Sequence, residues 1–399
     1  MRHARSIPPI EVGFARSRTI GHSPGMFFAA TWNRRFLVLT TVCVVAGCGG
    51  SKGDASGTTP QPYTGPGATL KVMTRNLYFG AEVDASLASS TVAELPAHVA
   101  AVWAAVQQSD FPGRAKLIVD EIVAEQPDII AFQEMELFRM QSPSDFVPGA
   151  VPNAETVAPN GDMLVIIENE LAARGLDYGL PVLVDAHTDL ELPSVDASGA
   201  AYDLRMTDRN VVFARPSIVA SNQRGQDFAS AFTVPVAGLA SGISIKLTRG
   251  FGAVNLVADG VPFTLVNTHL EVGGFLAAVQ EGQANNLVDA LAPVAGQVIL
   301  TGDFNSPADG SDTKSYQTVT QSFTDAWPVV NASDPGFTCC TDITAAAISP
   351  DQRIDLALYR GKVRPEAAKV VGLDASVRTA GGLLPSDHQG VVTTLTVGQ

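Results

Sequence analysis

The sequence predicts an α/β or α+β fold with sheets covered by helices. Three observations lead there: apolar runs of strand length recur along the chain, stretches of helical spacing separate them, and polar groups stand where several runs end. In order, Leu70–Thr74 reads as the first strand, Arg114–Glu125 as a helix and Asp128–Phe132 as a buried-type strand. Asp162–Arg174 follows as a helix and Leu204–Ala214 as a strand. Next come the strand Phe263–Thr268, the helix Phe275–Leu291 with Leu276, Val279, Leu287 and Leu291 on one face, and the strand Val298–Thr301. Ile354–Tyr359 and Val391–Val397 complete the strands. This pattern does not give strand order.

Three segments differ in composition. In residues 1–48, Arg34-Arg35 precede an apolar run from Phe36 to Ala46 that ends in Val45-Ala46-Gly47-Cys48. This is the layout of a signal peptide, and the run is short for a bilayer span. Small residues followed by Cys resemble a bacterial lipoprotein box, with Cys48 lipidated and first in the mature chain. The expected location is therefore a membrane surface outside the cytoplasm, with cleavage and secretion as the alternative. Residues before Met26 look like neither signal nor domain, which suggests an over-long start. Residues 49–67 are Gly, Ser, Thr, Pro and Gln with hardly an apolar side chain and read as a flexible tether. Residues 68–399 contain no second linker and no repeat, so a single domain is expected.

The formal net charge is −14, and six of the arginines lie in the first 48 residues, so the remainder is more acidic still. A broad basic face for polyanions is disfavoured, although a local site with a bound cation can be positive. With Cys43 and Cys48 assigned to the leader, the adjacent Cys339 and Cys340 remain. In an oxidising compartment they form a vicinal disulfide or stay as thiols, and two sulfurs alone make a poor metal site.

Function enters through the polar groups at strand ends. Thr74-Arg75-Asn76 closes the first strand, Gln133-Glu134 the second and Asn267-Thr268-His269 the next. Gly302-Asp303-Phe304-Asn305 follows Val298–Thr301, Asp355 lies inside Ile354–Tyr359, and Ser386-Asp387-His388 precedes the last strand. Each alone has an ordinary explanation as a turn former, a helix-dipole acid or a satisfied core imidazole. Together they are carboxylates, carboxamides and imidazoles, the groups that hold a hard cation and move protons on phosphate esters. Carboxylates in or capping buried strands are costly unless paired or bound to a cation.

This ordered set resembles the endonuclease/exonuclease/phosphatase superfamily, also called deoxyribonuclease-like: an Asn on the first strand, then Gln-Glu, Asn-x-His-Leu, Gly-Asp-Phe-Asn, Arg-Ile-Asp and Ser-Asp-His. The resemblance runs from Leu70 to the C-terminus. It implies a four-layer sandwich of two packed mixed β-sheets flanked by helices, with the site at one end of the sheets. It also implies metal-dependent phosphate mono- or diester hydrolysis, with Mg²⁺ as the expected ion and Mn²⁺ or Ca²⁺ as substitutes. By that resemblance Glu134 ligates the ion with Asn76 beside it, and Asp387 helps to hold it. Asp303 orients and deprotonates the attacking water, and Asn305 donates to a phosphoryl oxygen. His388, held in one tautomer by Asp355, assists the leaving group or stabilises the transition state, while His269 binds the phosphate from the other side. The expected partner is a phosphate-ester substrate, either nucleic acid or a phospholipid head group as in sphingomyelinases, and a monomer is expected. Arg209 reads equally as a phosphate ligand or as half of a strand-edge ion pair, and Gln283 as a residue packed near the site. The competing class is an inactive binding protein on the same fold, disfavoured because the full set of costly carboxylates is present.

Overall fold

The computed structural model describes residues 63–81, 91–235 and 244–399. The leader, Cys48 and most of the linker lie outside these residues. Sixteen strands are described: β1 Gly67–Asn76, β2 Ile129–Gln133, β3 Leu137–Gln141, β4 Thr156–Asp162, β5 Leu183–Val195, β6 Ala201–Ala214, β7 Val219–Asp227, β8 Phe232–Pro235, β9 Ser244–Leu247, β10 Gly250–Ala258, β11 Val261–His269, β12 Val298–Asp303, β13 Thr324–Asp325, β14 Asp355–Arg360, β15 Val363–Val371 and β16 Gly390–Gly398. The α-helices are α1 Leu95–Gln108, α2 Phe111–Glu125, α3 Met163–Ala173, α4 Ala277–Leu291, α5 Ser315–Thr320 and α6 Trp327–Val330.

The strands build two large sheets. One runs β15-β16-β1-β2-β6-β3-β4, with β5 also paired to β6, and the other runs β13-β14-β12-β11-β10-β7. Both are mixed: β1 and β2 pair parallel, as do β11 and β12, whereas β1–β16 and β10–β11 are antiparallel. The layering follows from the two-residue alternation of side chains along a strand. Val72, Ile129, Ala131, Ile299 and Leu395 point into one core with Val254, Leu256 and Leu265, which is the interior between the sheets. Their sequence neighbours Met73, Ile130 and Phe132 point the other way, against Ile118 and Ile122 of α2 and Ile167 of α3. Val298 and Leu300 likewise face Leu287 and Leu291 of α4. The result is helix, sheet, sheet, helix, the four layers that the motifs imply. Strands buried on both faces must be apolar throughout, and so the central strands read as continuous runs rather than as alternations. Each fully buried aliphatic side chain contributes about 1.5–3 kcal/mol.

Helix starts are fixed locally. The Asp162 carboxylate accepts from the Leu164 amide at 3.1 Å at the head of α3, and Asp110 accepts from Gly113 at 3.2 Å at the head of α2. Among the described residues no helix is long and apolar enough to cross a membrane.

Candidate active site

Strand register brings the acids and imidazoles together. Asp303 ends β12, directly opposite His269 on β11 and Asp355 on β14, so three adjacent strands present the three groups in line. On the other sheet Asn76 and Gln133 end β1 and β2 in register, and Glu134 follows. Between the sheets, Gln133 donates to Asn267 at 2.7 Å and Asn267 donates to the Phe132 carbonyl at 2.8 Å, a buried polar tie just beneath the site. Buried amides of this kind are satisfied only in one relative placement of the sheets, so they fix it.

The last segment is held by two buried arginines. Arg114 donates to the carbonyls of Leu77, Tyr78 and Pro385 at 2.6, 3.1 and 3.0 Å, joining the exit of β1 to the approach of Ser386-Asp387-His388. Burial draws its pKa down to about 10, so it remains charged at neutral pH. Arg75 pairs with Glu121 of α2 and donates to the His388 carbonyl. The Ser386 hydroxyl adds a bond to the Asn76 carbonyl at 2.9 Å.

Within this frame Oδ2 of Asp303 is the focal atom. The Asn76 amide donates to it at 3.0 Å and also to Glu134 Oε1 at 3.1 Å. Nε2 of His269 stands 3.6 Å away and Nε2 of His388 3.7 Å away. The other oxygen of Asp303 accepts the Asn305 amide at 2.8 Å. Burial pushes the Asp303 carboxyl up to about 7, against the pull of His388 and with Asp355 reinforcing the rise. Glu134 is likewise raised, by burial and then by the Asp387 carboxylate. Glu134, His269, Asp303, Asn305, Asp387 and His388 all line one cavity of about 250 Å³. Asn76 and Asp355 stand behind that wall.

The two imidazoles are driven apart. Burial opposes charge on His388, but Asp355, Asp303 and Asp387 outweigh it and hold the ring protonated well above its usual range. Nδ1 meets Asp355 Oδ2 at 2.9 Å, which leaves Nε2 facing Asp303. His269 is pushed well below its usual range by burial and by the neighbouring Arg249 and His388. Arg249 Nη1 lies 3.1 Å from His269 Nδ1. Both nitrogens of His269 face donors, Arg249 Nη1 at Nδ1 and Asn305 Nδ2 at Nε2, surroundings that disfavour a protonated ring. The charged His388 imidazole beside the raised Asp303 carboxyl places an acid and a base side by side.

The donor set fits a hard divalent cation. Glu134 and Asp387 are carboxylates on the cavity wall, the Asp387 charge raises the affinity of Glu134 for a proton or cation, and both belong to the oxygen class such ions prefer. Asn76 contributes differently from a ligand oxygen: its NH₂ bridges the two acids while its carbonyl accepts the Tyr78 amide at 2.8 Å. Asn305 also has its side chain engaged, donating to the Leu270 carbonyl at 2.9 Å and lying 3.1 Å from His269 Nε2. Both Glu134 and Asn305 adopt left-handed backbone conformations, at φ 55° and 47°. Such strain in non-glycine residues gathers where function requires it.

Four residues were not singled out in sequence: Arg249, Glu136, Asp208 and Glu271. Arg249 pairs with Asp208 at 2.8 Å and with Glu271 at 3.8 Å, and all four line the cavity. Glu136 is raised well above the usual range by burial and then by Asp208 and Glu134. Nearness in sequence was the available signal, since Glu136 and Glu271 lie two places beyond Glu134 and His269 in the loops that leave β2 and β11. Arg209 lies elsewhere. It donates to the carbonyls of Met135 and Glu136 and pairs with Asp162 at 2.7 Å, so the ion-pair reading holds. Gln283 accepts the Glu271 amide at 2.7 Å and thus packs beneath the site.

Solved structures of similar shape include an endonuclease/exonuclease/phosphatase family protein from Bacteroides thetaiotaomicron, 14% identical, covering 84% of this chain and 99% of its own, with TM-score 0.48. A Bacteroides vulgatus protein of the same description is 14% identical over 83% of this chain and 100% of its own, TM-score 0.47. TDP2 of D. rerio, complexed with a single-strand DNA product, is 13% identical over 83% and 100%, TM-score 0.46. No curated protein matches. The profile of the Endonuclease/Exonuclease/phosphatase family matches residues 102–388, well over half the sequence, and the chain belongs to that family.

Proposed function

We propose that this protein is an exported, divalent-cation-dependent phosphoesterase that hydrolyses phosphate diesters, anchored to a membrane through a lipid on Cys48. The observation that carries the reading is the crowding of the Asn76 amide, His269 Nε2 and His388 Nε2 around one buried carboxylate oxygen of Asp303, with Glu134 and Asp387 on the same wall. The bound ion, Mg²⁺ in this reading and held by Glu134 and Asp387, would supply charge relief for the phosphoryl oxygens. The protein groups do the rest. Asp303, poised near neutrality, accepts a proton from a water that it orients, and the His388 imidazolium donates one to the departing oxygen. Arg249 places a guanidinium donor beside His269 on the opposite side of the phosphate.

Cavity electrostatics bear on substrate class. Glu136, Asp208 and Glu271 surround the single guanidinium of Arg249, and Phe79, Met206 and Leu247 complete the wall. That lining favours one phosphate with an apolar or compact substituent, such as a lipid head group or small diester, over a long polyanion. The test is hydrolysis of sphingomyelin, single-stranded DNA, RNA and small phosphate diesters with Mg²⁺ or with a chelator. Chelator-sensitive turnover lost in His388→Ala and Asp303→Ala supports the roles, and turnover unchanged in either variant sinks them. For the anchor, Cys48→Ser should move the protein from the membrane to the soluble fraction, and continued membrane association would refute lipidation there.

A further inference from the structure

Beside His388 lies a pair of residues that the proposed reaction does not use. Cys339 is fully buried, with Sγ 3.5 Å from His388 Nε2, and Cys340 is exposed on the wall of the catalytic cavity. The two sulfurs are bonded to each other. Ligand atoms of Cys339, Cys340 and His388 all lie within 4.8 Å of one another. In a tetrahedral zinc site, with bonds of about 2.0–2.3 Å, the ligand atoms stand roughly 3.3–3.8 Å apart, a spacing that the two sulfurs reach only once the bond between them is broken.

The backbone keeps the pair in place whether or not the sulfurs are joined. Cys339 exchanges bonds with Gln352 at 3.0 Å in both directions. The Thr341 amide donates to the Asp387 carbonyl at 2.8 Å, and the Gln389 amide to the Thr338 carbonyl at 2.7 Å. Thr338 Oγ1 also accepts from the amides of Ile354 and Asp355, each at 3.3 Å. The cysteines are thus stitched between the strand that carries Asp355 and the loop that carries His388. Because Nδ1 of His388 is held by Asp355, its Nε2 is the nitrogen turned towards the sulfurs.

We infer that Cys339, Cys340 and His388 form an inhibitory site for a thiophilic divalent cation such as Zn²⁺, open only when the two cysteines are reduced. A dithiol or phosphine reductant takes the disulfide to two thiols and is itself oxidised. Binding then releases three protons, one from each thiol as the sulfurs ligate as thiolates and one from the His388 imidazolium, whose freed Nε2 supplies the third ligand. Occupancy removes that nitrogen from proton transfer. Saturating Mg²⁺ keeps the carboxylate site filled, and two thiolates give the cysteine site the stronger hold on zinc. The disulfide form lacks two of the three donors and is insensitive. The existence of this site does not depend on the proposed reaction, whereas its inhibitory consequence does.

The experiment uses the full chain in detergent with saturating Mg²⁺, oxidised or treated with a phosphine reductant that is then removed under nitrogen. Cadmium is the optical probe, through its thiolate charge-transfer absorption, and zinc inhibition is read beside it. Reduced wild type should bind one cadmium per chain with that absorption and lose turnover with zinc. Oxidised wild type and reduced Cys340→Ser should lack the stoichiometric absorption and need about tenfold more zinc or more for half inhibition, each measured against its own zinc-free rate. Absence of the absorption in reduced wild type would overturn the site. Equal zinc sensitivity in all three samples would overturn the gating by these cysteines. Stoichiometric absorption without loss of turnover would uphold the site and reject His388 as a proton donor.

Discussion

Replacing Asp355 with Asn separates charge from shape at the heart of the site. The Asp355 side chain is fully buried, its Oδ2 meets His388 Nδ1 at 2.9 Å, and its Oδ1 has no hydrogen-bond partner. An amide fits the same space and still accepts from Nδ1, so the variant removes the negative charge while keeping the contact. A hydrogen bond to a charged group contributes about 1.5–3 kcal/mol. At 1.36 kcal/mol per factor of ten, losing the charge-assisted part should lower kcat by roughly 10–150-fold. The pH profile gives an independent sign. His388 is raised above its ordinary value, so the stability it contributes is fully present below the unfolded value of about 6.5 and is lost as pH rises through the folded one. Without Asp355 the folded value falls, so the basic limb of kcat should move to lower pH, and stability should fade over a lower range. Steady-state kinetics across pH at fixed Mg²⁺, with urea unfolding at the same pH values, measures both. A kcat within about twofold of wild type and an unmoved basic limb would refute the assignment of His388 as an imidazolium acid held by Asp355.

Three further outcomes follow from the same geometry. Asp303→Asn should lower kcat by about 10²–10⁴-fold without lowering the thermal midpoint, because the lost carboxylate is one that burial already disfavours; calorimetry beside kinetics checks both. Protons compete with the cation, since Glu134 is raised and Asp303 stands at about 7, so metal affinity should strengthen as pH rises through neutrality, with proton release on binding that titration calorimetry in buffers of different ionisation enthalpy can count. Gly302→Ala should destabilise the fold in urea by more than the roughly 1–3 kcal/mol of its backbone conformation alone: Gly302 has φ 145°, and a β-carbon there would stand 1.9 Å from the Thr268 carbonyl oxygen.

The central strands were legible because both of their faces are covered, which forces continuous apolar runs such as Ile129–Phe132 and Val298–Leu300. Strand β7 was not, since nearly every residue of it is exposed and its Ser-Asn-Gln-Arg-Gly-Gln composition carries no hydrophobic period. Strand β10 interleaves Gly250 and Gly252 with its apolar residues. At Gly252 a β-carbon would meet the Leu183 side chain at 2.6 Å, so close packing, not strand propensity, selects the glycine. At the site, motif order carried the predicted residues because Asn76, His269 and Asp303 end strands, Asp355 begins one and Glu134, Asn305, Asp387 and His388 lie within three residues of one, so that register does much of the rest. Arg249 was missed because it stands alone in a loop between β9 and β10, and only tertiary contact with His269 gives it meaning. Asp208 was passed over for its neighbour Arg209, although adjacent strand residues point to opposite faces and only one of the two can see the cavity.

The claim on which the rest depends is that Glu134 and Asp387 hold one hard cation beside Asp303, and anomalous diffraction from crystals soaked in Mn²⁺ tests it most directly. The account predicts one strong peak with carboxylate oxygens of Glu134 and Asp387 in its coordination shell, lost in Glu134→Gln. A cavity without manganese in well-ordered crystals, or an ion held only by residues outside this set, would contradict it.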